Sequence, residues 1–152
     1  MLALPLSIAG YVLMFLACAM AAASGDRAAR AAAGVVVFGW FASTAAQNYL
    51  NLTDPQWALT GVDLVLLVVF ALMALRWRRW WLAWMAAFQL LIVATDTAFA
   101  IDRRIEVLAY YTAYYIWSYL LLAALAAGGF NERAKRRRVA EAGEEDISGP
   151  AV

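Results

Sequence analysis

Histidine is absent from the 152 residues and cysteine occurs once. Within one chain, this excludes a structural disulfide, a Cys/His zinc site and a histidine-ligated haem or chlorophyll. Charge is scarce as well. Only 15% of residues are charged, against about one quarter in an average globular chain, and most of them sit in short clusters between long apolar runs. The sequence has no phosphate-cradling glycine loop, no CxxC pair and no acid constellation with zinc or di-metal spacing, and a serine nucleophile would have no histidine base. These absences leave conventional catalysis little to work with, so the expectation is a noncatalytic protein with no cofactor and no metal. What is present in quantity is apolar surface. The chain is 66% hydrophobic and 14% aromatic, with a mean hydropathy of +0.69, which excludes a water-soluble globule and predicts an integral membrane protein.

A membrane-spanning helix needs about 20 mostly apolar residues, because each adds about 1.5 Å toward a hydrocarbon core about 30 Å thick. Five stretches qualify, at about 2–23, 31–50, 57–75, 80–100 and 107–127. The connectors are too short for folded domains, so sequential helices are expected to be antiparallel neighbours. The predicted fold is an all-α bundle of five transmembrane helices within residues 1–128.

Short-loop lysines and arginines set the orientation, since positive charge stays on the cytoplasmic side during insertion. Arg27 and Arg30 lie in the first loop, Arg76, Arg78 and Arg79 in the third, and Arg133, Lys135, Arg136, Arg137 and Arg138 in the tail. The second loop holds only Asp54, and the fourth balances Asp102 and Glu106 against Arg103 and Arg104. This alternation predicts an outside N-terminus and a cytoplasmic C-terminus. A four-helix reading with an interfacial second stretch would put the arginines of the first and third loops on opposite sides. Aromatic belts agree with five spans: Trp77, Trp80, Trp81 and Trp84 mark the inner interface, and Tyr49, Trp57, Tyr110 and Tyr111 the outer one. The first stretch lacks the positive start of a signal peptide, and Cys18 is read as a small packing residue rather than a lipoprotein acceptor. Asn51-Leu52-Thr53 fits a glycosylation pattern by chance, because the Ala/Arg-rich, Lys-poor usage is bacterial in style.

Residues 129–152 turn basic and then acidic, with Glu141, Glu144, Glu145 and Asp146 after the cations. Disorder is expected beyond the basic stretch. The five cations read first as a topology anchor against anionic headgroups. The Arg76-Trp77-Arg78-Arg79-Trp80-Trp81 run would suggest nucleic acid in a soluble protein, but between two spans it reads as an inner-interface anchor, with no nucleic-acid partner.

Polar residues inside spans carry the most information, because an ionised carboxylate at mid-bilayer costs about 2.5 to 3.5 kcal/mol even on the lenient insertion scale. Asp63 in the third span and Asp96 in the fourth both fall roughly 7 to 9 Å below the outer boundary by residue count. Gln47 and Asn48 end the second span near that level, while Tyr110 and Tyr114 open the fifth. Gln89 shares a helix face with Asp96 and extends a polar stripe inward. The expected site is an outward-facing polar vestibule for an ion or small ligand. The competing account has the two carboxylates accepting hydrogen bonds to fix helix register. Gly39 and Ser43 form a small-xxx-small pair that predicts close packing around a central second helix.

Arg79-Trp-Trp-Leu-Ala-Trp-Met-Ala-Ala-Phe-Gln-Leu-Leu-Ile-Val-Ala-Thr-Asp96 and Ala109-Tyr-Tyr-Thr-Ala-Tyr-Tyr-Ile-Trp-Ser-Tyr119 resemble uncharacterised small multi-spanning membrane proteins of alphaproteobacteria. The resemblance covers roughly the second half of the chain. It implies a bacterial inner membrane and a polar residue, often histidine, at the position of Asp96, but it brings no activity. Two functions are carried forward. The first is a noncatalytic subunit or assembly factor that packs against other membrane chains or further copies of itself. The alternative is a small ion- or proton-coupled carrier or channel component that uses Asp63 and Asp96.

Overall fold

The computed structural model describes residues 3–46, 57–102, 104 and 106–147, with the side chains of 9–46, 57–102, 104 and 106–143. These residues form five helices: α1 (Ala3–Ala23), α2 (Arg27–Ala46), α3 (Trp57–Trp77), α4 (Trp80–Ile101) and α5 (Val107–Ile147). The architecture is all-α. Helices α2 to α5 are each long and apolar enough to cross a membrane, and α1 adds the shorter apolar stretch Ala9–Ala23.

Each helix packs on its neighbours in sequence, and α5 returns to α1, closing a ring that α5 also crosses to touch α2. The buried residues explain this arrangement. Leu59, Asp63, Leu66, Phe70 and Met73 are buried along α3, and Leu82, Met85, Gln89, Ile92, Asp96 and Phe99 along α4. Both series alternate steps of three and four residues, the knobs-into-holes seam of near-parallel helices. On α5 the seam runs through Tyr110, Ser118, Leu121, Leu125, Gly128 and Glu132. Facing outward are Phe38, Leu75, Leu108 and Ile116, among many others, as suits helices solvated by lipid.

Since lipid is as apolar as leucine, close packing rather than water exclusion holds such helices together. Glycine provides the closest approaches. A Cβ on Gly128 would run into the Trp81 indole, and one on Gly129 would lie 2.9 Å from the Ala21 Cα. The Gly39 and Ser43 pair behaves similarly at Gly39, where a Cβ would lie 2.7 Å from a Leu66 methyl. Ser43 is half-buried.

Four expectations need correction. Helix α2 starts at Arg27 rather than near residue 31: Gly25, at φ +72°, ends α1, and the Asp26 carboxylate accepts the Ala29 N–H at 3.1 Å, capping the new helix. Helices α4 and α5 are packed more extensively than α2, because the seam of α4 faces α3 and α5 and that of α5 faces α1 and α4. Trp81 is no interfacial belt residue. It is 0% exposed because the missing side chain of Gly128 makes room for the indole, whereas Trp77, Trp80 and Trp84 remain exposed as expected.

The fourth correction concerns the tail, where helix continues to Ile147 instead of giving way to disorder. Residues 131–147 are rich in Ala, Glu, Arg and Lys, all strong helix formers. The first turn past Gly129 is also fastened. Glu132 is buried and accepts from Arg79 at 3.1 Å and Lys135 at 3.3 Å, while Arg136 donates to the Gly25 carbonyl at 2.7 Å. At about 1.5 Å per residue, a helix of this length is roughly twice as long as the hydrocarbon core is thick, so its last turns extend past the bundle.

Candidate functional site

Asp63 on α3, Gln89 and Asp96 on α4, and Tyr110 and Tyr114 on α5 meet inside the bundle. The seam explains the meeting: Gln89 and Asp96 are seven residues apart on the buried line of α4, and Asp63 occupies the facing line of α3. Counting residues from the helix ends near the second and fourth loops, at about 1.5 Å each, puts Asp63 about 9 Å and Asp96 about 7.5 Å inward. The shared level expected from the sequence is therefore also a shared contact.

The Gln89 amide nitrogen donates to Asp63 Oδ1 at 2.9 Å and to the Asp63 backbone carbonyl at 3.1 Å. Tyr114 donates its hydroxyl to Asp63 Oδ2 at 3.1 Å. This last bond joins α3 to α5, whose backbones do not pack on one another among the described residues, and only a side chain as long as tyrosine reaches across. Tyr110 donates to Asp96 Oδ1 at 2.8 Å, and its ring stacks on Phe99 with centroids 4.4 Å apart. Asp63, Gln89, Asp96 and Tyr110 are all buried, and Tyr114 is partly so.

One polar atom is left over. Asp96 Oδ2 is buried with no hydrogen-bond donor among the described residues, in a residue only 4% exposed. The two carboxyl groups lie within electrostatic reach of each other and of both phenols. Their surroundings supply donors, namely one amide NH2 and two hydroxyls, and each of these is directed at a carboxyl oxygen. Such a set suits negative charge on one carboxyl and a hydrogen on the other; a metal ion would want further acceptor oxygens. No group of three or more His, Cys, Asp or Glu that could hold a metal occurs among the described residues.

Five of the seven residues expected at this site are thus brought together, while Gln47 and Asn48 lie outside the described residues. Instead of lining an open vestibule, the five pack against one another. Two grooves among the described residues lie elsewhere, between α1 and α2 and between α1 and α5.

The opposite end of the bundle carries most of the described cations. Arg79, between α3 and α4, bonds Glu132 and approaches Asp26 at 3.7 Å, so the first connector, the third connector and the extended part of α5 are drawn together. Arg76, Arg78, Arg133, Lys135, Arg137 and Arg138 are exposed around this centre. Sequence reasoning missed Glu132 and Asp26 as partners of Arg79. The usable signal was the spacing Leu121, Leu125, Gly128, Glu132, which continues the buried line of α5 past the point where hydropathy falls.

No protein family, curated protein or solved structure matches the chain.

Proposed function

We propose that this is a noncatalytic, proton-binding component of a small carrier or channel, in which Asp63 and Asp96 together hold one exchangeable hydrogen. The supporting observation is the Asp96 Oδ2, which no donor among the described residues reaches, beside a second buried carboxyl. A lock that only fixed helix register would be served by amides or hydroxyls. Two adjacent carboxyls, by contrast, repel one another when both are ionised and become compatible when a proton is shared between them. Acids inside membrane spans are most often functional for the same energetic reason. Small residues that could have received a helix of another chain are used inside this one, Gly39 against Leu66 and Gly128 against Trp81.

In this reading the chain crosses a bacterial inner membrane five times, with its cation-rich end and C-terminus in the cytoplasm and the acid pair nearer the outer face. The gathering of both positive connectors and the basic part of α5 at one end supports that orientation. Reporter tags at the two termini should then fall in opposite compartments, and tags in the same compartment contradict five crossings.

Function is tested in proteoliposomes under an imposed potential, with an entrapped pH dye. The wild-type chain should move protons faster than empty vesicles do, and Asp96→Asn should slow that movement by about tenfold or more, as expected when an essential proton carrier is removed. Wild-type flux at the empty-vesicle level, or equal flux in wild type and Asp96→Asn, overturns the reading.

A further inference from the structure

We propose that the groove between α1 and α2 binds the acyl chain of an anionic phospholipid whose phosphate rests on Arg30. The groove has a volume of about 720 Å³ and opens on the outer surface of the bundle. Phe15 and Ala19 of α1 line it opposite Gly34, Phe38 and Phe41 of α2, and Arg30 is the one charged residue in its wall among the described residues. Gly34 leaves its floor open, since nothing lies within 4 Å of where a Cβ would stand. The rims are ring carbons facing outward: Phe38 is 72% exposed and Phe15 53%.

Length and charge both select the occupant. From Arg30 to Phe41 the groove runs eleven residues along α2, about 16 Å at 1.5 Å per residue, which is about half of a hydrocarbon core of roughly 30 Å. It therefore matches the acyl depth of one leaflet. Its cationic end coincides with the end of the bundle where Asp26, Arg79 and Glu132 meet, the level at which headgroups lie. Arg79 is committed to carboxylates there, whereas Arg30 and its neighbour Arg27, one helical turn away, have no ion pair among the described residues. A chain-shaped apolar slot that ends in uncommitted cations fits a lipid with a negative headgroup. A helix from another protein would have to bury Arg30 or turn it aside. The second groove, between α1 and α5, is lined by apolar residues and Tyr119 with no cation, and it serves as the control.

The test is native mass spectrometry of the full chain released from mild detergent, with added phosphatidylglycerol or phosphatidylcholine of identical acyl chains. The wild type should retain one phosphatidylglycerol in preference to phosphatidylcholine by about fivefold, the ratio expected from one basic side chain at a headgroup. Arg30→Gln should remove that preference. Gly34→Leu should reduce retention of both lipids by filling the floor, and Ala19→Leu, on the facing helix, should do the same if Gly34→Leu fails to fold. Ala123→Leu in the control groove should leave retention unchanged. The proposal is overturned if the wild type shows no preference, if the preference survives Arg30→Gln, if neither filling variant reduces retention, or if the chain is found as a dimer that loses its lipid on association.

Discussion

Tyr110 donates its hydroxyl to Asp96 Oδ1 at 2.8 Å across the α4–α5 hairpin, while the other oxygen of the same carboxyl has no donor among the described residues. The carboxyl is thus half satisfied, and the bond that is made fixes which oxygen is left to hold a hydrogen. Tyr110→Phe keeps the ring that stacks on Phe99 and removes only the donor. It should lower bundle stability by about 0.5 to 2 kcal/mol, the range measured for side-chain hydrogen bonds between membrane helices. Equilibrium unfolding in mixed micelles measures this. Tyr115, whose ring stacks on Tyr119, is the control: Tyr115→Phe should change stability by less than about 0.5 kcal/mol.

The Trp81 indole fits against the backbone of α5 only because residue 128 has no side chain. In a lipid-solvated helix, Gly→Ala normally gains about 1 kcal/mol of helix propensity, and Gly34→Ala should show that gain or no change. Gly128→Ala should instead destabilise by about 1 to 3 kcal/mol, the usual cost of overpacking. Trp81→Leu should recover part of that loss in the double variant, since residues in contact are not additive. Additive losses would mean that the two residues do not meet as described.

The number of helices follows from hydropathy and the bilayer thickness, and the described residues form five helices where five apolar stretches are counted, although α5 runs on past the expected end. The common depth of Asp63 and Asp96 was legible for the same reason: depth is a matter of counting residues along a straight helix. That Gln89 belongs with Asp63 rather than forming a path inward was not legible, because the rotation of α4 against α3 depends on how the two seams interlock. Glu132 escaped notice because a hydropathy reading ends the bundle at Gly128, although the buried line continues through it. Trp81 was misplaced because a tryptophan near a span end fits both the interface and the core. Only the glycine opposite it, on another helix, decides between them.

The shared hydrogen of Asp63 and Asp96 is the central claim, and infrared spectroscopy of the reconstituted protein reads it directly. Near neutral pH the wild type should show the carbonyl stretch of a protonated carboxylic acid, shifting in heavy water, and the double variant Asp63→Asn, Asp96→Asn should lack it. A wild-type spectrum without that band, or a band that persists unchanged in the double variant, contradicts the account.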